Sequence, residues 1–350
     1  MAQEASPRVI ALGETMLMFA PPGHELIEHS ESFRAFIGGS EANVAVGLER
    51  LGVHAGWVGK LPRSALGRKV ENGIRRYGVD TAGIVWSETG RVGTFYVEVG
   101  ATPRPTQTIY DRAGSAFTTL TAGELDWDYI AQAEWLHLTG ITPALSATCR
   151  AAAPEILKRA RALGVKVSLD LNYRSKLWGP EAARAAWLEM IPHTNVLIAT
   201  EVDAAILLGE TPPEDGPPGR LYKEQIVGED PCRDAPVGRL SAEMVRRLYA
   251  AHGVEAVAIT CGGSGCVAFD GRDILARPAV IPEVVNRIGA GDAFAAGLLY
   301  GLITADLATG LAYGNAMAAL KFTIPQNLPL VDRADVEAIV AGQAATRLVR

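Results

Sequence analysis

The sequence predicts an α/β fold with a mostly parallel central sheet, and two observations lead to this fold class. Short apolar segments that suit buried strands alternate along the chain with longer segments of helical periodicity. Such alternation is typical of parallel strands joined by helices that cover both faces of a sheet. One segment with strict polar–apolar alternation interrupts the pattern and predicts a second, smaller sheet.

The length fits either one large α/β domain that spans residues 1–350 or two smaller domains. Of the 350 residues, 48% are hydrophobic and 21% are charged, so the chain can bury a large core without disulfides or a structural metal. The formal net charge of −6 gives no reason to expect a nucleic-acid or membrane partner. We therefore expect neither a nucleic-acid partner nor a membrane partner.

The cysteines and the N-terminus favour a cytoplasmic protein. Four cysteines occur at irregular spacings without a CxxC pair, and they are interpreted as buried apolar residues of a reducing compartment: Cys149, Cys232, Cys261 and Cys266. The N-terminus lacks the basic and apolar stretches of a signal peptide. No apolar run approaches the roughly 18 residues that a transmembrane helix requires.

The predicted strands and helices follow one another in order. Strands are predicted at residues 9–13, 55–58, 135–138, 165–169, 196–199 and 254–260. Helices are predicted at residues 40–51, 66–77, 147–163 and 181–191, and a late apolar helix opens at residue 291. In the first helix, Val44, Leu48 and Leu51 share one face, which predicts that this face is buried. Ligands of such sheets bind beyond the carboxyl ends of the strands.

Two segments depart from the alternation. Residues 90–118 alternate polar and apolar side chains around a Pro/Thr-rich turn, and together with residues 14–38 they predict a small β-sheet lid. Residues 211–240 are rich in proline, glycine and charge, which predicts a surface insertion without a chemical role. We find no internal repeats.

The clearest chemical signal is the run Gly289-Ala290-Gly291-Asp292, which leads directly into the late helix. Small residues let backbone N–H groups converge on one point, and the helix N-terminus adds positive potential there, so the run suits an anion. Asp292, in the first helical turn, could take a proton from an attacking hydroxyl. The alternative interpretation is a helix cap in which the helix dipole favours aspartate.

Two further glycine-rich turns could approach a ligand. The turn Thr260-Cys-Gly-Gly-Ser-Gly265 follows a strand and could hold nucleotide phosphates by backbone contacts, although it is not a Walker A loop. The run Gly38-Gly-Ser-Glu-Ala-Asn43 opens a helix and offers an amide at Asn43. An ordinary strand-to-turn glycine and an ordinary helix entry are the competing interpretations.

Taken together, these motifs resemble the ribokinase-type (PfkB) sugar kinases over nearly the whole chain. Residues 38–52 are similar to the N-terminal signature of that family, and residues 289–294 are similar to its C-terminal signature, about 240 residues further on. Within the family the chain is most similar to 2-keto-3-deoxygluconate kinases. Three more stretches carry this similarity: residues 110–116, 137–145 and 168–174.

The resemblance implies a role for each matching residue. Asp292 would be the catalytic base, and the backbone of Gly289, Ala290 and Gly291 would form the anion hole. Substrate contacts would come from Gly39, Asn43, Tyr96, Tyr110, Arg112 and Arg174. Nucleotide contacts would come from Thr200, Thr260, Gly262, Gly263, Gly265, Gly289 and Gly291. Asp203 would be associated with Mg²⁺.

The implied fold is a ribokinase-like three-layer sandwich with a lid, and the implied reaction is ATP-dependent phosphorylation of a sugar acid. The favoured substrate is 2-keto-3-deoxygluconate, converted to its 6-phosphate, because two arginines suit a carboxylate. ATP and Mg²⁺ would be required, and a monovalent cation is a further candidate. A fructokinase or another PfkB sugar or nucleoside kinase is the alternative, and a homodimer or higher homo-oligomer stays open.

Three departures from the family pattern bear on these roles. Asn286 stands where the family has aspartate, which questions a metal or monovalent-cation role at that position. The family's Asn-x-x-Glu appears as Thr200-Glu-Val-Asp203, where Glu201 could substitute for the acid. Pro62-Arg-Ser64 replaces a Gly-x-Asp turn near the sugar. A catalytically inactive sugar-binding regulator is therefore the alternative of another class.

Two further interpretations concern individual side chains. Arg112 and Arg174 could pair with carboxylates such as Asp111 or Asp170 instead of binding substrate. His137 is predicted to pack at the end of its strand, so it is given no catalytic role although histidine is a common acid–base residue.

Overall fold

The computed structural model describes residues 6–101, 103–210, 239–280 and 282–343, and it has the predicted α/β architecture. The expected insertion at residues 211–240 lies outside the described residues, apart from the start of a helix at Arg239. Within the described ranges, no helix combines the length and the apolar character needed to cross a membrane.

The strands and helices are numbered in chain order. The strands are β1 (Val9–Leu12), β2 (Met16–Ala20), β3 (Arg34–Gly38), β4 (Ala55–Val58), β5 (Lys60–Pro62), β6 (Val85–Ser87), β7 (Thr94–Glu98), β8 (Gln107–Asp111), β9 (Trp135–Thr139), β10 (Lys166–Asp170), β11 (Val196–Thr200), β12 (Ala256–Thr260), β13 (Cys266–Phe269) and β14 (Ile274–Arg277). The helices are α1 (Ser40–Arg50), α2 (Ala65–Arg75), α3 (Trp127–Ile130), α4 (Ala147–Ala162), α5 (Pro180–Met190), α6 (Glu201–Leu208), α7 (Arg239–His252), α8 (Ala290–Thr304), α9 (Leu307–Phe322) and α10 (Arg333–Val340).

The main sheet has eight strands in the order β14-β13-β12-β11-β10-β9-β1-β4. The six strands from β12 to β4 are parallel to one another, whereas β13 pairs antiparallel with both β12 and β14. Because the parallel strands all point the same way, their carboxyl ends meet at one edge of the sheet. This edge is where the polar site described below is assembled.

Apolar side chains cover both faces of the main sheet, as a three-layer sandwich requires. One core contains Trp187 and Phe117 with residues of α4 and α5, and the other contains Trp57 and Phe294 with residues of α1, α8 and α9. The strands are buried on both faces, which explains why they appear in the sequence as continuous apolar runs.

Helices α8 and α9 pack unusually closely against each other as an antiparallel pair. A Cβ atom on Gly301 would lie 2.0 Å from the backbone nitrogen of Gly310, and one on Gly297 would lie 2.5 Å from that of Gly314. Glycine therefore permits this close approach of the two backbones. Continued to its end, the same register puts Lys321 of α9 level with Ala290 at the start of α8.

The small sheet is a separate four-stranded element in the order β3-β2-β7-β8. It is built from the two segments expected to form it, residues 14–38 and 90–118. Met16, Met18, Phe95 and Val97 form its own small apolar cluster, against which Ile288 packs. Ile288 immediately precedes the glycine run of α8, so this face of the small sheet lies next to the start of that helix.

The predicted position of His137 is corrected by the structure. The residue lies in the middle of β9 and not at its end, and it is fully buried. Its Nδ1 atom is 3.0 Å from Ser168 Oγ on the adjacent strand. Burial lowers the pKa of His137 to about 3, so the ring is neutral and structural.

Candidate active site

Polar side chains from several segments converge at the carboxyl edge of the main sheet. Asp170 ends β10, Thr200 ends β11 and Thr139 ends β9, while the first turns of α1 and α8 approach from the side. Hydrogen bonds connect these elements, as described next. The site therefore depends on residues that are far apart in the sequence.

Asp292 is held in the first turn of α8 by two side chains of α1. Its Oδ1 accepts a hydrogen bond from Ser40 Oγ, and its Oδ2 accepts one from Asn43 Nδ2 at 2.6 Å. The carboxyl group is buried, and this burial raises its pKa above the usual range, while the two hydrogen bonds and the charges of Arg174 and Lys321 oppose the rise. A carboxylate with a raised pKa and a fixed orientation suits a general base.

An amide relay positions Asn43. Asn327 Nδ2 donates to Asn43 Oδ1 at 3.0 Å, so the Asn43 amide is fixed with its nitrogen toward Asp292. Both polar atoms of the Asn43 side chain are hydrogen-bonded within the protein, and its predicted contact with the sugar stays a prediction. Ser40 and Asn327 were missed in the sequence. Ser40 stands within the quoted glycine-rich run, but no local signal identifies Asn327, which is distant in the chain.

The glycine run before Asp292 has the conformation expected of an anion-binding helix start. Gly289 has φ of 88°, and a Cβ atom there would lie 2.1 Å from the carbonyl oxygen of Asn327. In contrast, a Cβ atom on Gly291 would meet no atom within 4 Å. The N-terminal turn of α8 is therefore packed on the Gly289 side and open at Gly291, where its unpaired N–H groups can face a ligand.

Three carboxylates approach one another at this edge. Burial raises the pKa of Asp170 well above its usual range, and the charges of Asp203 and Asp292 raise it further. Arg174 opposes the rise in all three pKa values. Asn172, with φ of 43°, donates from Nδ2 to Asp170 Oδ2 at 3.1 Å and to Ser40 Oγ at 3.1 Å, so it connects the cluster to α1.

Glu41 is a fourth buried carboxylate that the sequence did not single out. Its Oε1 accepts hydrogen bonds from Thr139 Oγ1 at 2.6 Å and from Thr139 N at 3.2 Å. Burial raises the pKa of Glu41 to about 7, with a smaller contribution from the charge of Asp292. Its carboxyl group lies against the backbone of Gly13, where a Cβ atom would be 2.0 Å away.

Arg112 is ion-paired with a residue that was not considered as its partner. Its Nε donates to Glu14 Oε2 at 2.8 Å, and Ser115 Oγ donates to Glu14 Oε1 at 2.5 Å. The expected partner Asp111 instead pairs with Arg91. Glu14 and Arg112 are both largely buried, so Glu14 fixes the guanidinium at the base of the small sheet.

Arg174 differs from Arg112 in its environment. Its side chain is exposed, and among the described residues it makes no hydrogen bond or ion pair. It nevertheless lies close enough to Asp170, Asp203 and Asp292 for its charge to lower their pKa values. Since its guanidinium has no ion pair or hydrogen bond within the described part of the chain, it is available to bind an anion.

The register of the small sheet separates the two tyrosines predicted for the site. Phe95 is opposite Tyr110 and stacks on it, with ring centroids 5.6 Å apart, on the face that carries Met16 and Met18. Tyr96 points to the other face and stacks on Phe19 at 5.5 Å. Tyr96 therefore lies on the opposite face of the small sheet from Tyr110, because a shift of one residue along a strand reverses the face, and its contact with substrate stays a prediction. Phe95 lies on the face of the small sheet that packs against Ile288.

The residues expected to contact nucleotide lie at the ends of neighbouring strands. Thr200 of β11 is the direct partner of Thr260 of β12, which brings the two hydroxyl groups to the same edge. The turn after β12 follows at once, and a Cβ atom on Gly263 would meet nothing within 4 Å. Gly262 and Gly265, in the same turn, both have positive φ. The structure thus groups these residues at the carboxyl ends of β11 and β12.

The candidate magnesium ligand Asp203 has a structural role in α6. Asp203 and Thr200 form a reciprocal capping box, with Asp203 Oδ2 accepting from Thr200 N at 2.8 Å and Oδ1 accepting from Tyr173 N at 3.1 Å. Glu201 accepts from Ser241 Oγ at 2.8 Å. No cluster of three or more acidic, histidine or cysteine side chains in the described ranges could by itself hold a metal ion.

These contacts fit Mg²⁺ bound through water and phosphate oxygens and not in a cage of protein ligands. The mutual repulsion of Asp170, Asp203 and Asp292, which raises the pKa of Asp170, is a feature that a divalent cation would relieve. The donor set therefore suits Mg²⁺, and Asp203 and Asp170 are the carboxylates that could hold it through water.

The two other departures from the motif pattern are structurally accommodated. Asn286 Nδ2 donates to Pro325 O at 2.6 Å, and its Oδ1 accepts from Ile288 N at 3.0 Å. An aspartate could not donate the first of these bonds, so asparagine ties the loop before α8 to the segment after α9. Pro62 ends the short strand β5, which pairs with β6 in a separate two-stranded sheet.

Comparisons with known proteins agree with this geometry. The model of the pfkB family carbohydrate kinases matches residues 6–326. A 2-dehydro-3-deoxygalactonokinase of Haloferax volcanii is 38% identical over 335 residues, which cover 95% of this chain and 96% of the relative. A 2-dehydro-3-deoxygluconokinase of Bacillus subtilis is 28% identical over 327 residues, covering 91% of this chain and 90% of the relative.

A solved structure gives the same result for the fold. The crystal structure of a 2-dehydro-3-deoxygluconokinase from Thermotoga maritima superposes with a TM-score of 0.83 at 32% sequence identity. The superposition covers 96% of this chain and 99% of that one. The fold is therefore shared over almost the whole length of both chains.

Proposed function

The chain belongs to the pfkB family of carbohydrate kinases, and from this premise we propose that it phosphorylates a 2-keto-3-deoxy sugar acid with ATP. The favoured substrate is 2-keto-3-deoxygluconate, also called 2-dehydro-3-deoxygluconate, and the favoured product is its 6-phosphate. A cytoplasmic location and a homodimer or larger homo-oligomer stay predictions from the sequence.

The observation that carries this proposal is the arrangement of Asp292 at the start of α8. The carboxylate is oriented by Ser40 and Asn43 and lies in the first turn of a helix whose N-terminus is open at Gly291. A substrate hydroxyl placed against Asp292 could give up its proton while it attacks a phosphoryl group at the helix N-terminus. The base and the anion site are then separated by only one helical turn.

The anion hole would stabilise charge as phosphoryl transfer proceeds. The N–H groups at Gly289, Ala290 and Gly291 would donate toward the transferring group, where the helix N-terminus also favours negative charge. Mg²⁺, when bound near Asp203 and Asp170, would neutralise phosphate charge. Thr200, Thr260 and the glycines of the turn at residues 262–265 would hold the nucleotide.

Charge distribution supports an acidic sugar over a neutral one. Arg174 is exposed and has no counter-ion among the described residues, while Arg112 is preoriented by Glu14 with Tyr110 beside it. A guanidinium matches the two oxygens of a carboxylate. We infer that one or both arginines bind the substrate carboxylate, with Gly39 allowing close approach at the start of α1.

The small sheet would act as a lid over the sugar. The face that carries Phe95 and Tyr110 lies next to Ile288 and so beside the start of α8. Closure of this face on a bound sugar would exclude water, which would otherwise accept the phosphoryl group. The apolar residues of this face make it suitable for excluding water from the bound sugar.

Two alternatives lead to different experimental outcomes. A fructokinase or another sugar or nucleoside kinase of the family would use the same Asp292 but not the arginines. A catalytically inactive sugar-binding regulator is motivated by Asn286, Thr200 and Pro62. The capping box explains the presence of Thr200, and the loop contacts explain the presence of Asn286. Neither departure from the family pattern therefore requires a loss of activity.

The test is ADP release with ATP and Mg²⁺ across a panel of acceptors. The panel contains 2-keto-3-deoxygluconate, its galacto epimer, fructose, ribose and adenosine. We expect turnover with the keto-deoxy acids only, with the 6-phosphate as product. Turnover on a neutral sugar alone would reject the sugar-acid assignment, and binding of a sugar acid without turnover would favour the regulator.

Arginine variants make the substrate test sharper. Arg174→Ala should reduce kcat/KM for the sugar acid by about 10- to 100-fold, because a charge-assisted bidentate contact is lost. The same variant should leave the melting temperature almost unchanged, since Arg174 is exposed and unpaired in the described structure. Arg91→Ala is the matched control on the small sheet, where the pair with Asp111 is exposed.

A further inference from the structure

Lys321 is a buried cation that the proposed reaction does not yet use. It lies in the last turn of α9, and its side chain has 0% exposure. Among the described residues, its ammonium has no carboxylate within 4.0 Å. A buried charge without an ionic partner is energetically costly, so its position calls for a physical explanation.

Backbone carbonyl groups of two different segments accept hydrogen bonds from the ammonium. Lys321 Nζ donates to Ile324 O at 3.2 Å and to Asn286 O at 3.4 Å. Ile324 follows α9, whereas Asn286 belongs to the loop that leads into α8. The lysine therefore connects the end of one helix to the segment that precedes the anion hole.

The same contact is reinforced by backbone hydrogen bonds. Phe322 O accepts from Val285 N at 2.8 Å and from Asn286 N at 3.0 Å. The Asn286 side chain adds its bond to Pro325 O. Several carbonyl oxygens thus gather around this junction, and Lys321 supplies the positive charge that they favour. A cation at a helix C-terminus also interacts favourably with the helix dipole, which is the purely structural explanation.

A second observation goes beyond the structural explanation. The antiparallel packing of α8 and α9 puts Lys321 level with Ala290, and its positive charge lowers the pKa of Asp292, two residues further along α8. The other charged groups that act on Asp292 include Arg174, which also lowers its pKa, and the nearby carboxylates Asp170 and Glu41. Lys321 and Arg174 are thus both cations whose charge lowers the pKa of Asp292.

On the premise that the chain transfers a phosphoryl group as proposed above, we propose that Lys321 is a positioning residue for that transfer. Its ammonium fixes the loop that carries the anion hole and, while it is protonated, provides a positive charge that favours the ionised form of Asp292. It touches neither substrate nor the reacting atoms, so it acts through Asn286 and Asp292.

Lys321 can provide this charge only while it is protonated. Burial lowers its pKa to about 8, and the charge of Asp292 partly opposes this shift. As the pH rises through that value, the ammonium loses its proton and the loop loses its charge. The transfer step should therefore slow above about pH 8.

The first experiment uses the wild-type protein and measures the single-turnover rate from pH 5 to 10, so that product release does not mask chemistry. We expect an acidic limb from Asp292 and a basic limb near pH 8. A rate that stays flat from pH 8 to 10 overturns the proposal. If no sugar acid is turned over at all, the proposed function fails, and the stability measurement described below still tests the charge of Lys321.

Two variants separate the charge of Lys321 from its hydrogen bonds. Lys321→Gln keeps a donor but not the charge, and Lys321→Met removes both. We expect each to lose the basic limb, to move the acidic limb upward by about one pH unit, and to lower kcat by about 10- to 100-fold with little change in KM. An unchanged pH profile in folded Lys321→Gln would leave only the structural role.

A matched control is available in Lys60, another buried lysine. Its side chain pairs with Glu124 at 2.6 Å and donates to Thr119 O. Lys60→Met should lower the melting temperature but leave the pH profile of turnover unchanged.

Stability gives a readout that does not depend on activity. Because the folded-state pKa of Lys321 lies below its unfolded value, the unfolded chain binds more protons between about pH 8 and 10.5. Wild-type stability should therefore gain a rising contribution across this range, and Lys321→Met should lose that contribution. Equal slopes in the two proteins would show that the pKa of Lys321 is not lowered in the folded state and would overturn the proposed dependence of the transfer step on its protonation.

Discussion

The two edges of the main sheet differ in how their charged side chains are arranged. At the amino edge, Arg8 pairs with Glu134 and Lys166 pairs with Glu255, and all four side chains are 42% to 54% exposed. At the carboxyl edge, Asp170, Asp203, Asp292 and Glu41 are all buried, and their pKa values are raised. Opposite charges are matched one to one at the first edge, whereas like charges are gathered at the second.

This difference between the edges indicates which of them contains a functional site. Exposed pairs contribute little to stability and can be replaced easily. Buried carboxylates near one another reduce stability at neutral pH, so they are expected where a ligand, a metal ion or a proton transfer needs them. The carboxyl edge has the features of a functional site, and the amino edge has those of an ordinary surface.

The strongest test of this comparison is Asp292→Asn. We expect kcat to fall by about 10³-fold, because the amide cannot accept the proton of the attacking hydroxyl. Folding should be retained or improved, since a buried charge is removed while the contacts with Ser40 and Asn43 can persist. Steady-state ADP release and thermal unfolding measure the two effects. A variant that keeps more than about a tenth of wild-type kcat would contradict the assignment of the base.

Gly289→Ala tests whether the start of α8 tolerates a side chain. The new Cβ would be 2.1 Å from Asn327 O in a residue with φ of 88°, so we expect a loss of about 2–4 kcal/mol in unfolding free energy. Chemical denaturation measures this loss.

Substitutions at two other glycines serve as controls for that experiment. Gly253→Ala has a similar positive φ but no close neighbour, so it should cost only about 1 kcal/mol. Gly291→Ala should leave stability nearly unchanged but reduce turnover, because the methyl group enters the open side of the anion site. Equal losses for Gly289→Ala and Gly253→Ala would show that the contact with Asn327 is unimportant.

Glu41→Gln should make the protein more stable at neutral and alkaline pH. The folded-state pKa of Glu41 is about 7 against a reference of 4.5, so the folded state binds more protons and loses stability as the pH rises between these values. The variant should therefore be more stable than wild type at pH 8 by about 1–3 kcal/mol. The difference should vanish near pH 4.5. Urea unfolding at both pH values measures it, and a variant that is less stable at pH 8 would refute the explanation.

The smallest effect is expected at the amino edge. Arg8→Ala should change the unfolding free energy by less than about 1 kcal/mol, because the pair with Glu134 is exposed to solvent. Turnover should stay the same, since this edge is at the opposite ends of the strands from Asp292. A large loss of activity would break the contrast between the two edges.

The sequence by itself determined the fold class, the order of most elements and the two glycine-rich helix starts. These features depend on local physics, because burial periodicity, glycine at turns and the helix N-terminus are all visible over a few residues. For the same reason the predicted strands at residues 55–58 and 135–138 agree closely with β4 and β9. The antiparallel strands β13 and β14 and helix α9 had no comparably clear pattern and were not predicted.

Tertiary structure alone decided which side chains meet. Asn327 reaches Asp292 through Asn43, Glu14 fixes Arg112, and Lys321 comes beneath the loop at Asn286, in each case over a large distance along the chain. The face of Tyr96 was likewise decided by strand register, which a loosely patterned segment does not specify. The physical reason is that hydrogen bonds and charges act through space, whereas the sequence records only neighbours along the chain.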